Sequence, residues 1–277
     1  MKLVRHALAC AILASTALAP AAAGCSRPIS VPVAASGHSV TISRNGVGGL
    51  FPEMLTLVGA RAGCTFVWSV APRVRQETMF ASGQADILVA ATQVERRDRH
   101  GIFIPMFETR PVMISVNSTR ARLRSIDDLL ARRDLRVVLV RGYDYGDAYR
   151  AMLATLQAQG RVYLQPDPQT VARMLAGSLA DVTIMPASVF IAGASDDIRT
   201  ADLVRRLRVE PLVELPWIKS GIYLSRTSLR DDDRSVLERE LRASVRSGLW
   251  WQAMRRYYPR DTLARSTRPI GISPPPR

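Results

Sequence analysis

Residues 83–107 read GQADILVAATQVERRDRHGIFIPMF, and two side chains in this stretch are suited to holding an anion. Arg97 offers a planar fork of N–H donors that matches both oxygens of a carboxylate and stays charged at any relevant pH. Thr92 can donate its hydroxyl to the same oxygens. The apolar run 87–91 has the length of a buried strand and is bounded by turn signals. Thr92 and Arg97 then fall at or just past the strand's carboxyl end, where open α/β sheets bind ligands. The chemistry on offer is capture of an anion. Signatures of catalysis are missing: there is no Gly-x-Ser-x-Gly elbow, no phosphate-binding loop and no His-Glu-x-x-His. His38 and His100 lack metal-ligand spacing, and no Cys-x-x-Cys pair occurs, so neither a metal nor another cofactor is expected.

The elements that must position these groups follow from hydrophobic periodicity. Residues 29–35 read as a strand, 50–62 as a helix with Leu50, Met54, Leu57 and Val58 at helical spacing, and 66–70 as a second strand. A short helix over 75–81 precedes the strand at 87–91. Strand and helix thus alternate, the pattern of a parallel sheet covered by helices. After a strand at 111–116 the pattern restarts. Ser125 opens a helix with a capping-box-like start, 136–140 is a strand, and the loop Arg141-Gly142-Tyr143-Asp144-Tyr145-Gly146 leads into a helix to Gln159. Residues 162–164, 168–176 and 181–185 complete this second unit. A return strand at 215–224, helices at 231–247 and 249–257, and a Pro-rich end finish the chain.

The N-terminus has the form of a secretory signal. Lys2 and Arg5 precede an apolar stretch at 7–19 and the small residues Ala21, Ala22 and Ala23. That stretch is too short to span a membrane. The mature chain then keeps Cys25 and Cys64, which in an oxidising compartment favour a disulfide. The alternative is lipidation, because Ala22-Ala23-Gly24-Cys25 is a partial lipobox with Ala22 where Leu is usual. Net charge is +14, falling to +12 once Lys2 and Arg5 are removed, and Lys219 is then the sole lysine. The arginines are scattered without aromatic interleaving, so nucleic acid is not an expected partner. Attraction of small anions or anionic surfaces is the better use of this charge.

The order Gly-x-x-Asp, apolar strand, Thr92, Arg97 and Phe103-Ile-Pro105 resembles the first-lobe signature of periplasmic solute-binding proteins of the polar amino-acid class, extracellular solute-binding protein family 3. Further markers are Ser-Ile-Asp-Asp-Leu at 125–129, Leu-Ala-Gly-Ser-Leu-Ala-Asp at 175–181 and Val-Arg-Ser-Gly-Leu-Trp at 245–250. The resemblance implies an α/β, two-lobed, type II periplasmic-binding-protein-like fold, each lobe a mainly parallel sheet covered by helices. Its expected divisions are a signal peptide at 1–24, lobe one at 25–116 and 215–260, lobe two at 117–214, and a disordered tail at 261–277. Two hinge crossings are expected, near 115–119 and 212–216. It also implies a periplasmic monomer that delivers a carboxylate-bearing solute to the permease of an ATP-driven membrane transporter.

The ligand contacts implied are Arg97 and Thr92, with Ser36 after the first strand, Arg73 after the second, and Tyr143 and Asp144 in the lobe-two loop. Arg75 reads as a structural residue, and Tyr145 as a second aromatic able to stack on the ligand. One position departs from the family. Amino-acid binders commonly place an Asp five residues after the strand Asp181, to pair with the ligand ammonium; here that position is Pro186. An ammonium without an anionic partner is costly to bury. Either Asp144 supplies the charge or the ligand is not an ordinary α-amino acid. Two other functions fit the same fold: an enzyme resembling cyclohexadienyl dehydratase, and a periplasmic sensing or accessory module without transport.

Overall fold

The computed structural model describes residues 24–116 and 119–271. Lobe one opens with β1 (Ile29–Val33), the hairpin β2 (Thr41–Ser43) and β3 (Gly46–Gly48), and α1 (Leu50–Ala62). It continues through β4 (Phe66–Val70), α2 (Arg73–Ala81), β5 (Ile87–Thr92), the single turn α3 (Glu95–Asp98) and β6 (Gly101–Thr109). Lobe two contains β7 (Val112–Val116), α4 (Ile126–Ala131), β8 (Val137–Val140), α5 (Asp147–Ala158) and β9 (Val162–Gln165). It adds α6 (Pro168–Ala176), β10 (Val182–Met185), α7 (Ala187–Ser195), a 3-10 turn and β11 (Leu207–Glu210). The chain then returns to lobe one through β12 (Ile218–Ser225), α8 (Asp231–Arg246), α9 (Leu249–Tyr257), α10 (Arg260–Ser266) and β13 (Thr267–Pro269).

Both lobes have mixed sheets. Strands that alternate with helices pair in parallel, β1 with β4 and β8 with β9 and β10. Strands next to the crossings run antiparallel: β6, β12, β5 and β13 in lobe one, β7, β10 and β11 in lobe two. A strand that arrives from the other lobe enters the sheet from the opposite end, which reverses its direction. Each lobe buries its own core. Ile29, Val31, Leu50, Phe51 and Trp250 lie in the first, and Ile114, Val137, Leu139, Ile184 and Phe190 in the second.

Two expected boundaries change. β7 was assigned to lobe one by the division at residue 116, but it pairs with β10 and β11 along its length. The first crossing is therefore at Arg110 and Pro111, where proline ends the β6 ladder, and not at 115–119; residues 117 and 118 of that expected hinge lie outside the described residues. The return crossing occupies 211–217, around the expected 212–216.

The expected disordered tail at 261–277 is structured as far as residue 271. Leu263 is buried in the lobe-one core, and β13 extends the sheet beside β6. Ser266 ties the lobes together: its Oγ accepts from the Ala187 N–H at 2.6 Å and its carbonyl from the Arg110 N–H at 2.8 Å. Composition pointed to disorder because the segment is rich in Arg and Pro; one buried leucine and a strand-edge partner are enough to order it. Residues 272–277 lie outside the described residues, as does the expected signal peptide except Gly24. No helix among the described residues is long and apolar enough to cross a membrane.

Cys25 and Cys64 are joined in a disulfide, which uses the sulfur that lipidation of Cys25 would require. The geometry depends on Gly63, the left-handed C-cap of α1 at φ 66°, which turns the chain so that Cys64 faces the N-terminal arm. Closing a loop of sequence separation 39 stabilises the fold by about 4 kcal/mol in the chain-entropy model. Urea unfolding with and without reductant is expected to show a loss of that order. An unchanged midpoint would mean that the bridge contributes nothing.

Candidate functional site

A cavity lies between the lobes, formed by segments that follow the carboxyl ends of β1, β5, β8 and β10. This is the edge at which parallel strands present ligand-binding loops. All six side chains singled out in the sequence line it: Ser36, Arg73, Thr92, Arg97, Tyr143 and Asp144. Tyr145 joins them, as does Pro186, whereas Arg75 is exposed on α2 and lies apart. Phe51, Phe107 and Met254 supply an apolar wall. The centre of a water-sized sphere can range over about 50 Å³ inside, so the cavity suits a small molecule.

The arginine fork has an intramolecular partner. Arg97 Nε donates to Glu77 Oε2 at 3.0 Å and its Nη2 to Oε1 at 2.8 Å, a two-oxygen grip on a side chain from α2. Arg97 Nη1 donates to the carbonyl and hydroxyl oxygens of Thr92 at 2.8 and 3.0 Å. Thr92 in turn donates its hydroxyl to the Asp144 carbonyl at 2.6 Å. Both residues therefore face the cavity with most of their hydrogen-bonding capacity already used.

Arg73 is less well matched. Its Nη1 donates to the Val89 carbonyl at 3.0 Å, a neutral acceptor, and its Nη2 lies 3.2 Å from the same Glu77 that Arg97 holds. Burial pulls its pKa below the ordinary guanidinium value, and Glu77 only partly offsets this. On Glu77, burial acts upward, but Arg73, Arg97 and Arg96 outweigh it and hold the carboxyl below its ordinary range. Glu77 was not legible as a site residue; its one signal was the i, i+4 spacing from Arg73 on α2.

Asp144 is the one carboxylate lining the cavity among the described residues. It bridges the lobes, accepting from Arg96 Nε of lobe one at 2.8 Å and from Arg150 Nη1 of its own lobe at 2.9 Å. Ser36 and the Tyr143 hydroxyl meet across the lobes at 3.1 Å, and His38 Nε2 lies 3.0 Å from Asp196 Oδ1. Gly142 permits the closeness of the lobe-two loop: its φ is +82°, and a Cβ there would stand 3.1 Å from the Arg73 side chain.

Burial acts to raise the pKa of Asp144, but the Arg96 hydrogen bond, the Gly146 amide and the nearby guanidiniums reverse it, so the carboxyl is held below its ordinary range. Its contribution to closure is thus complete above the ordinary carboxylate range and is lost as pH falls through the depressed value. Small-angle scattering should show an unchanged radius of gyration from pH 7 to about 5, with expansion only in stronger acid. Expansion already near pH 6 would assign closure to another group.

At the hinge end, Thr109 and Ser220 line the cavity, and the Thr109 hydroxyl has no hydrogen-bond partner among the described residues. A buried hydroxyl left unpaired costs about 1–3 kcal/mol, so it marks a place for a polar ligand atom. Pro186 is the N-cap of α7 and offers neither charge nor donor. The sequence reading missed Thr109, Ser220, Phe51 and Met254 because strands and helices distant in the chain bring them together. No group of acids, histidines and cysteines suited to a metal occurs among the described residues.

No family model matches the sequence, and no curated protein matches it. Solved structures do match. A histidine kinase sensor domain with similarity to periplasmic binding proteins superposes with a TM-score of 0.64 at 18% identity, covering 84% of this chain and 96% of its own. EhuB in complex with hydroxyectoine gives 0.67 at 17% identity, covering 86% and 91%. The arginine-, lysine-, histidine-binding protein ArtJ from Geobacillus stearothermophilus gives 0.66 at 13% identity, covering 84% and 95%. At such identities the likeness establishes architecture alone. The chain has the two-lobed α/β fold of type II periplasmic binding proteins.

Proposed function

We propose that this chain is an exported binding protein that closes around a small monocarboxylate lacking an ammonium group and hands it to the permease of an ATP-driven transporter. The observation that carries the proposal is the charge of the ion-pair network at the cavity. Arg73, Arg96, Arg97 and Arg150 are connected by direct contacts to Glu77, Asp144 and Asp147. Four guanidiniums against three carboxylates leave one positive charge, and Arg73 is the buried member short of a counter-ion. A monoanion neutralises the network. An ammonium has no place in it, because Asp144 is already held by Arg96 and Arg150 and the family's acidic position is Pro186.

The test is a thermal-shift screen over monocarboxylates, dicarboxylates and amino acids. A ligand at about 100 times its Kd adds roughly 2.7 kcal/mol, which for a chain of this size raises Tm by about 5–10 °C. Stabilisation by monocarboxylates and not by amino acids is the expected result; stabilisation by amino acids alone would overturn the proposal.

The likeness to a kinase sensor domain favours one second function, ligand sensing on behalf of a signalling partner. Genomic neighbourhood separates the two: a permease and ATPase beside the gene supports delivery, a kinase supports sensing. The enzyme alternative has no specific observation in its favour, since the cavity's one carboxylate is engaged by two guanidiniums.

A further inference from the structure

We infer that Glu77 sets the ligand specificity of this cavity: it fills the two-oxygen seat of Arg97 with an internal carboxylate, so the site accepts a single negative charge and rejects a second. This rests on the anion-binding function proposed above and adds which anions are admitted and why. Glu77 is held by three guanidiniums, those of Arg73, Arg96 and Arg97, with the bidentate contact to Arg97. Its side chain is 12% exposed and Arg97's is 3%, so the pair is nearly dry and its charges are weakly screened. Leaving would strand three cations at once, which makes Glu77 a fixed part of the wall and not a lid that a ligand pushes aside.

Two consequences follow from that position. The incoming anion is directed to Arg73, whose donors otherwise meet the Val89 carbonyl, Gln76 and a shared oxygen of Glu77. The network also holds one surplus positive charge with Glu77 ionised. A monocarboxylate brings the network to neutrality, while a dicarboxylate overshoots by one negative charge in a poorly solvated space. Replacing Glu77 by its neutral isostere opens the Arg97 fork and raises the surplus to two, the condition that suits a dianion.

The experiment is calorimetric titration of the wild type and Glu77→Gln with propionate and malonate. The inference expects the malonate-to-propionate affinity ratio to rise by about tenfold to a hundredfold in Glu77→Gln, the range for charge-assisted hydrogen bonds newly made to a ligand. An unchanged ratio, with propionate still bound by both proteins, overturns the role of Glu77 and leaves the monocarboxylate function standing. If the wild type binds neither acid but Glu77→Gln binds malonate, the role of Glu77 is upheld and the proposed function falls. If neither protein binds either acid, both fall.

Should Glu77→Gln fail to fold, Glu77→Gln/Arg96→Gln restores the wild-type network charge while leaving the Arg97 fork open. That variant is expected to keep the preference for propionate and to bind it about tenfold or more tightly than the wild type. Propionate affinity equal to that of the wild type would overturn the inference.

Discussion

Arg97→Ala is expected to lose both stability and ligand binding. Arg97 is buried and grips Glu77 at both oxygens, so truncation leaves an acid that was sized for three guanidiniums with two. Breaking a buried pair from one side costs about 3–5 kcal/mol; the contacts that Arg73 and Arg96 keep to Glu77 place the expected loss near the lower end. Binding falls for a second reason. With Arg97 gone, Glu77 turns fully onto Arg73 and occupies the donors that the ligand needs. Loss of about 2 kcal/mol or more, some thirtyfold in Kd, is expected for propionate. Urea unfolding and calorimetry read the two effects separately. A variant with unchanged stability and affinity would make Arg97 an ordinary surface-type arginine, contrary to its burial.

Pro186→Asp is expected to move the preference from monocarboxylates toward amino acids. Pro186 has φ −58° and ψ 134°, a conformation open to any residue, and it sits at the N-cap of α7, where Asp is among the favoured residues. The backbone therefore tolerates the change. The new carboxylate faces the cavity opposite Arg73 and Arg97 and supplies the ammonium partner that the wild type lacks. The L-alanine-to-propionate affinity ratio should rise by about tenfold or more, the worth of a charge-assisted hydrogen bond. If the ratio does not change, the ammonium of a bound amino acid would have to sit elsewhere, with Asp144 the residue to test by Asp144→Ala.

Much of the architecture was legible because the periodicity is strong where one face is buried. Helices α1, α6 and α9 and strand β4 fall on the expected residues, and Ser125 makes both hydrogen bonds of a capping box. The lobe boundary at β7 was not legible, since an apolar strand fits either sheet and only its partners decide. Helix α7 was missed for a related reason: Ala187 to Ala194 is apolar around most of its circumference, which removes the amphipathic signal. Among site residues, those at strand ends were visible from local order alone. Glu77 was not, because its importance comes from Arg96 and Arg97, which reach it from a separate turn of chain. The strand Asp of the resemblance has a structural task instead: Asp86 is gripped at both oxygens by Arg27 and pins the N-terminal arm.

The claim at the centre of this account is that the cavity holds a carboxylate and has no place for an ammonium. Propionate and L-alanine differ by that one group and are both small enough for the space between the lobes. Calorimetric titration of the unmodified, oxidised protein with each is the direct measurement. The account predicts saturable binding of propionate, with L-alanine at least about tenfold weaker, as expected when a charged group is left unpaired on burial. L-Alanine binding as tightly as propionate, or more tightly, would contradict it.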